Sequence, residues 1–391
     1  MAEKKRKYRL NGLLRALVRF PFEWIFRFRH ENFTLDEPTI VVCNHVTNFD
    51  VVLATLCAPG YHMHFVASEH MFRKGLLSKF LRYAFDPISR RKGVSGADTA
   101  MACLRKLRDG RSVIIFAEGE TSWDGRTADI VASTGRLVKM GRCRLITYRL
   151  EGGYLSAPRW GKGIRRGKMQ GRIAGIYTPE QLKVLSAEQI DEIISRDIYE
   201  DAWQRQKQTP VIYKSNRRAE KMEAVLFVCP KCGGFGTLKS RKHRLSCRCG
   251  LHADVTPFGT FADNRPFENL ARWDAWQRQK MEELLALGHI PVLEDPDISL
   301  YALQEAEHGQ KLVCSGLLRL EAGELQIGTE SFALEQISGM GLVMGNAMVF
   351  HVDGRYLELR AKEKMCMRKY LLAWQYVVRR AEAASAVGVK E

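Results

Sequence analysis

The chain has 391 residues, which is too long for a single hydrophobic core, so we expect two or three domains. Its formal net charge of +17 predicts an anionic partner: a nucleic acid, a membrane surface or a phosphorylated substrate. Residues 263–340 hold 14 acidic and 6 basic side chains, so we expect the anion to bind within the first 262 residues. No apolar run approaches the roughly 20 residues that span a bilayer, which excludes an ordinary transmembrane helix.

The N-terminal segment, residues 1–29, is basic and amphipathic. It holds nine Lys or Arg against two Glu, and the aromatic stretch "FPFEWIFRFR" ends it. Apolar residues recur at helical spacing: Leu10, Leu13, Leu14, Leu17 and Val18. The pattern predicts a helix in the interface of an anionic membrane, and the alternative is a helix that packs on its own domain. Since no signal peptide is visible, we expect a peripheral protein on the cytoplasmic face of the cell membrane.

From residue 38 to about 176, short apolar runs alternate with helical patterns. "PTIVVCN", "YHMHFVAS", "SVIIFAE" and "CRLITYRL" predict buried strands, and "GADTAMACLRKLRDG" predicts a helix. This alternation indicates an α/β fold with a largely parallel sheet flanked by helices. We assign residues 30–222 to this domain.

The stretch "CNHVTNFD", residues 43–50, places His45 at the end of a strand pattern and Asp50 five positions later. Open α/β sheets do their chemistry at the carboxyl ends of strands. On one regular helix the two side chains would point about 140° apart, but they can meet if His45 lies in the turn and Asp50 begins the helix. A carboxylate on one ring nitrogen leaves the other as a base for an alcohol. The alternative is a plain turn with Asn48 or Asp50 as a helix cap.

Two further polar motifs lie at or near strand ends, "FDPISRR" at residues 85–91 and "FAEGETS" at 116–122. With "NHVTNFD", they resemble the motifs of glycerophospholipid acyltransferases of the lysophosphatidic acid acyltransferase type. The family motifs are N-H-x4-D, an apolar segment ending in arginine, F-P-E-G-T-R-S and an apolar strand, which "LITYRL" matches loosely. The matching residues are Asn44, His45 and Asp50, then Ile88 and Arg90, then Phe116, Glu118, Gly119 and Ser122.

The resemblance implies a reaction. His45 would deprotonate a glycerol hydroxyl with Asp50 orienting it, and the oxygen would attack an acyl thioester of coenzyme A or acyl carrier protein without a covalent enzyme intermediate. Arg90 would hold the phosphate of a lysophospholipid acceptor, most directly 1-acylglycerol 3-phosphate, giving phosphatidic acid. The other residues assigned to the substrate site are Asn44, Arg91, Glu118, Gly119 and Ser122. The alternatives are a surface ion pair for Arg90 and a helix-start carboxylate for Glu118.

The third motif departs from the family pattern. Ala117, Glu120 and Thr121 stand where the family has proline, threonine and arginine. Arg91 and Arg126 are candidates to replace the missing arginine. The acceptor therefore stays open to a different lysolipid or another polar alcohol.

Four cysteines follow the α/β domain. Cys229 and Cys232 form C-x2-C, and Cys247 and Cys249 form C-x-C, with about 14 residues between the pairs. Four thiolates on two turns suit tetrahedral zinc, and the segment 223–262 resembles a zinc ribbon. Disulfides are the alternative, which a reducing compartment disfavours. We expect His243 to be a solvated hairpin residue and not a ligand.

The last third is assigned to a helical linker, residues 263–297, and a β domain, residues 298–391, with seven strand patterns and a C-terminal helix. That arrangement resembles the pleckstrin-homology or GRAM-like fold. We hypothesise that the zinc ribbon and β domain dock a partner or steady the enzyme on the membrane. Two non-enzymatic alternatives are a nucleic-acid-binding zinc-ribbon protein and a membrane adaptor. No RNA-binding aromatic motif is visible, so nucleic acid is not the expected partner.

Overall fold

The computed structural model describes residues 2–69, 83, 85–90, 96–304, 309–343 and 345–388. Up to residue 208, its described strands are β1 (Phe28–His30), β2 (Thr39–Cys43), β3 (Met63–Ser68), β4 (Ile88–Arg90), β5 (Ser112–Phe116), β6 (Arg144–Glu151) and β7 (Met169–Tyr177). The helices of the same part are α1 (Ala2–Ile25), α2 (Asp50–Leu56), α3 (Ala97–Arg108), α4 (Thr134–Gly141), α5 (Gly153–Ser156), α6 (Pro179–Lys183), α7 (Ala187–Ile198) and α8 (Ala202–Gln208).

These strands form one sheet in the order β1-β7-β6-β2-β5-β3-β4. Strands β6, β2, β5, β3 and β4 are parallel to one another, and β7 runs antiparallel to β6. The predicted largely parallel sheet with flanking helices is therefore confirmed. Strand β2 lies between β5 and β6, so the loop that follows β2 opens at the carboxyl edge of the sheet.

Strand β2 is apolar from Ile40 to Cys43 because both faces of the sheet are covered. Val41 and Cys43 face a core that contains Leu53 of α2 and Phe26 near the end of α1. Ile40 and Val42 face a second core formed with α3, α4 and α7. The alternation follows from the two-residue period of a strand.

The helix α1 has one face against the domain and another that is exposed. Phe22 and Phe26 pack against Phe49, with ring centroids 5.8 Å and 5.4 Å from that of Phe49. The described part of the chain contains no helix that is both long and apolar enough to cross a membrane.

The remaining chain forms two further sheets. Strands β8 (Leu238–Arg241), β9 (Arg244–Cys247) and β10 (His252–Asp254) make a small antiparallel sheet, and helix α9 (Leu270–Ala286) follows. The last strands are β11 (Leu293–Gln304), β12 (Gly309–Glu321), β13 (Glu324–Ile327), β14 (Glu330–Ala333), β15 (Gly339–Val343), β16 (Ala347–Val352) and β17 (Arg355–Ala361), before helix α10 (Arg368–Gly388). They form an antiparallel sheet in the order β14-β13-β12-β11-β17-β16-β15. Strand β11 thus begins within the segment assigned to the linker.

A single apolar core joins all three parts of the chain. It runs from Trp123 in the α/β domain, through Phe227 beside the cysteines and Trp273 on α9, to Tyr370 on α10. The cysteine module and the β domain therefore pack on the α/β domain as one body, instead of standing apart from it on flexible linkers.

Candidate active site

His45 lies in the turn after β2, and Asp50 is the first residue of α2. Asn44, between the strand and the histidine, is fully buried and fixes this turn. Its Nδ2 donates to the carbonyl of Leu150 at 2.8 Å, and its Oδ1 accepts from the amide of Leu150 at 2.7 Å. The Asn44 side chain thus bonds the backbone near the end of β6 as the backbone of a neighbouring strand would. Asn44 therefore positions the turn, because both of these hydrogen bonds are made with the backbone of Leu150.

Asp50 orients His45. The Nδ1–H of His45 donates to Oδ2 of Asp50 at 2.8 Å. The same oxygen accepts from the amides of Val46 at 2.6 Å and Thr47 at 2.8 Å, and Oδ1 accepts from the Thr47 hydroxyl at 2.9 Å. An ionised carboxylate only accepts hydrogen bonds, so the proton of neutral His45 lies on Nδ1 and Nε2 is a free base. The geometry expected from the five-residue spacing is present.

The Nε2 atom of His45 faces Thr121. The distance from Nε2 to Thr121 Oγ1 is 3.2 Å, and the imidazole stacks on Phe116 with ring centroids 4.6 Å apart. The His45 side chain is 21% exposed, whereas Asp50 is fully buried. The imidazole is therefore partly open to solvent, while the carboxylate is shielded from water.

Glu118 holds two loops together. It accepts from the amide of His45 at 2.6 Å and from the amide of Ala128 at 2.7 Å. Burial raises the pKa of Glu118 to about 8, and these two amide bonds oppose that rise. Gly119 follows with a φ of +70°, a conformation that side chains disfavour.

Ser122 closes the same loop. Its amide donates to the carbonyl of His45 at 2.8 Å, and its hydroxyl donates to the carbonyl of Arg126 at 2.7 Å. Like Glu118, it binds backbone in this structure. The contacts of both residues with a substrate stay predictions.

Two of the arginines predicted to bind the acceptor phosphate, Arg90 and Arg126, lie in different parts of the α/β domain. Arg90 ends β4, and its guanidinium lies so close to Gly96, at the start of α3, that a Cβ there would come within 2.5 Å of Nη1. Arg126 pairs with Asp201 at 3.3 Å. Arg91 lies outside the described residues.

Sequence reasoning missed Arg159. Its Nη1 donates to Glu120 Oε2 at 2.8 Å and to the carbonyl of Thr121 at 2.9 Å. The guanidinium is buried over the ring of Trp123, whose Nε1–H also donates to Glu120 Oε2, at 3.1 Å. An arginine therefore does lie beside the third motif. No local pattern could have identified it, because 38 positions separate it from Thr121.

The four predicted cysteines form one cluster. Their Sγ atoms all lie within 4.8 Å of one another, and the pairs Cys229–Cys249 and Cys232–Cys247 are 3.6 Å and 3.8 Å apart. A zinc ion with bonds of about 2.3 Å to four sulfurs places them about 3.8 Å apart. These distances are far longer than the roughly 2.05 Å of a disulfide. The cluster can hold a tetrahedral metal ion, and His243 is not part of it.

The fold and this site are compatible with an acyltransferase domain. Residues 26–150 match the family model described as Acyltransferase, which supports the predicted acyltransferase class for this part of the chain.

A solved structure with detectable similarity is the crystal structure of the 1-acyl-sn-glycerophosphate (LPA) acyltransferase PlsC from Thermotoga maritima. It is 21% identical to this chain and the match covers 50% of this chain and 80% of that one, with a TM-score of 0.41. A comparison with curated proteins finds no match.

Proposed function

We propose that the protein is an O-acyltransferase that moves a fatty acyl group from acyl-coenzyme A or acyl carrier protein to the hydroxyl of a lysophospholipid. The observation that carries this proposal is the His45–Asp50 pair, whose Nε2 lies 3.2 Å from the Thr121 hydroxyl, within residues that match the Acyltransferase family model. The family match favours this enzyme over the nucleic-acid-binding and adaptor alternatives.

His45 acts as the general base in the proposed reaction. Its Nε2 takes the proton of the acceptor hydroxyl as the oxygen attacks the thioester carbonyl, and Asp50 stabilises the imidazolium that forms. The tetrahedral intermediate then expels the thiolate, which recovers the proton from His45. The acceptor hydroxyl takes the place that the Thr121 hydroxyl now holds at Nε2.

The acceptor we favour is 1-acylglycerol 3-phosphate, with Arg90 on its phosphate. The charge of Arg159 is compensated by Glu120, so the third motif offers less positive charge than the family's arginine does. A zwitterionic lysolipid or an uncharged polar alcohol is the second candidate acceptor for this reason.

The test is thiol release from an acyl thioester with 1-acylglycerol 3-phosphate, and then with zwitterionic and uncharged lysolipids. His45→Ala should lower kcat by about 100-fold or more, because the general base is lost. His243→Ala, at an exposed histidine outside the site, is the matched control and should keep wild-type kcat. Full activity in His45→Ala would refute the mechanism, and activity on an uncharged acceptor alone would refute the phosphate assignment.

We also place the protein on the anionic cytoplasmic face of the membrane. Leu17, Phe20 and Trp24 share one face of α1 and are 71%, 75% and 56% exposed. The other side of the helix contacts Phe49, next to Asp50, so a membrane on the exposed face would lie about one helix diameter, about 10 Å, from the His45 turn.

The membrane proposal is tested by sedimentation with vesicles that contain anionic phospholipid. Replacing Phe20 and Trp24 with serine should weaken binding by more than about tenfold, since burying each ring contributes about 1.5–3 kcal/mol. Val184→Ser removes an equally exposed apolar side chain elsewhere and should bind as wild type does. Unchanged binding by the double variant would contradict the proposal.

The metal we propose for the cysteine cluster is structural zinc. The four thiolates occupy every tetrahedral position, which leaves none for substrate. The zinc would tie the two cysteine turns together beneath the shared core.

A further inference from the structure

The third-motif loop, residues 118–126, contacts the C-terminal helix directly. Trp123 of this loop is buried, and the guanidinium carbons of Arg159 and Arg368 lie 3.8 Å and 5.7 Å from its ring centroid. The indole N–H of Trp123 donates to Glu120, and the next residue, Thr121, contacts His45. The Arg368 side chain of α10 is thus linked through Trp123 to Glu120, and Glu120 directly precedes the residue that contacts His45.

Arg368 is held in place by a buried carboxylate of α9. Its Nη1 donates to Asp274 Oδ1 at 2.6 Å, and Asp274 is fully buried. Arg368 also acts on the loop itself. Burial and the charge of Asp274 raise the pKa of Asp124, whereas Arg126 and Arg368 oppose that rise. Arg368 therefore compensates the charge of two carboxylates, Asp274 on α9 and Asp124 in the third-motif loop.

Lys364, just before α10, makes a second connection. Its Nζ donates to the carbonyl of Arg159 at 2.8 Å and to that of Gly161 at 2.7 Å. The side chain of Arg159 in turn donates to the carbonyl of Thr121. Two cations from the C-terminal part, Lys364 and Arg368, thus fix the loop from two directions. We refer to this pair as the C-terminal clamp.

We propose that the C-terminal clamp is a positioning device of the active site, so that the accessory domain sets the geometry in which His45 meets its acceptor. The inference rests on the proposed function for its kinetic test only. Removing Arg368 leaves the fully buried Asp274 with Arg278, 3.2 Å away, as its remaining ion-pair partner, and it removes the cation that lies over Trp123. We expect the loop to shift in response. A displacement of about 1 Å near reacting groups can cost about 100-fold in rate.

The kinetic test uses Arg368→Met and Trp123→Phe, alone and combined. We expect kcat to fall about 100-fold and about tenfold, because the first variant displaces the loop and the second removes one hydrogen bond to Glu120. The KM for the acceptor should change little, and Arg368→Lys should recover part of kcat. Because both act through one contact chain, the combined loss should be smaller than the product of the two.

The matched control is Arg360→Met. Arg360 lies on β17 of the same domain, pairs with Glu358 and stacks over Tyr301, away from the third-motif loop. Its loss should leave kcat unchanged. Thermal unfolding of each variant checks that it is folded at the assay temperature. If Arg368→Met fails to fold, Trp123→Phe, which keeps an aromatic side chain at this position, carries the test.

Hydrogen exchange separates this inference from the proposed function. Amides of residues 118–126 should exchange faster in Arg368→Met than in wild type or Arg360→Met, while those of β2 stay protected. This result would support the clamp even if the wild type transferred no acyl group to any acceptor tried. Wild-type exchange in the loop of folded Arg368→Met, wild-type kcat in Trp123→Phe, or fully multiplicative losses would each overturn the clamp.

Discussion

Asp50→Asn separates the charge of the proposed catalytic pair, His45 and Asp50, from its geometry. The aspartate Oδ2 accepts three N–H bonds, from His45, Val46 and Thr47, while Oδ1 meets only the Thr47 hydroxyl. An asparagine with its oxygen in the Oδ2 position keeps the three bonds. Its amide then faces the Thr47 hydroxyl, which can accept instead of donate. The site keeps its shape and loses one negative charge.

The expected fall in kcat follows from the loss of that charge. Two unit charges about 4 Å apart near a protein surface attract by about 4 kcal/mol. The imidazolium of His45 forms only as the proton leaves the acceptor, so this energy is lost from the transition state. Since about 1.4 kcal/mol corresponds to a factor of ten, kcat should fall by about 1000-fold.

Asp50→Ala is the comparison variant. It leaves three N–H donors of the turn without an acceptor, and each buried donor costs about 1–3 kcal/mol. Its free energy of unfolding should therefore drop by several kcal/mol, whereas that of Asp50→Asn should stay close to wild type.

The assay is thiol release at saturating acceptor, with urea unfolding of each variant measured in parallel. If folded Asp50→Asn kept kcat within about tenfold of wild type, the carboxylate charge would not stabilise a His45 cation, and general-base catalysis by this pair would be refuted.

Three further predictions test other parts of the molecule. Because the pKa of Glu118 is raised to about 8 from 4.5, its contribution to stability is complete below pH 4.5 and is lost as the pH rises towards 8. Urea unfolding of Glu118→Gln should show a smaller decline over that window, and an unchanged decline would contradict the assignment. Cys232→Ser should lose bound zinc and melt at a lower temperature, as metal analysis and calorimetry can show, whereas Cys314→Ser, outside the cluster, should retain the metal. Thr121→Val removes the hydroxyl beside His45, and kcat should change by no more than about tenfold, the value of one hydrogen bond. A loss as large as that of His45→Ala would instead indicate an acyl-threonine intermediate, which mass spectrometry of the quenched enzyme would detect.

Local patterns predicted the parts of this protein that depend on neighbouring residues. Strand β2 is an apolar run because both its faces are buried, and His45 and Asp50 meet because five residues suffice to cross from strand end to helix start. The spacing within each cysteine pair likewise determines how its two sulfur atoms are placed. In each case the interacting atoms are held by a few consecutive backbone torsions.

For Glu118 and Ser122, the family resemblance predicted more than the local sequence pattern did. It identified the loop, but the structure shows these side chains bonded to backbone of the His45 turn, and their contact with substrate stays a prediction. Residue types alone do not distinguish a carboxylate that binds substrate from one that binds two amides.

Only the tertiary structure decided what surrounds the third motif. Arg159 binds Glu120, and Arg368 lies over Trp123, although nothing in the spacing of these residues links them. The sequence by itself determined four strands of the α/β sheet, the meeting of His45 with Asp50 and the cysteine turns, and it predicted separate domains, whereas β1, β4 and β7 were not predicted. The shared core joins those domains because apolar surface left exposed by each part is buried against the next, and the sum of such long-range contacts cannot be read from any short stretch of chain.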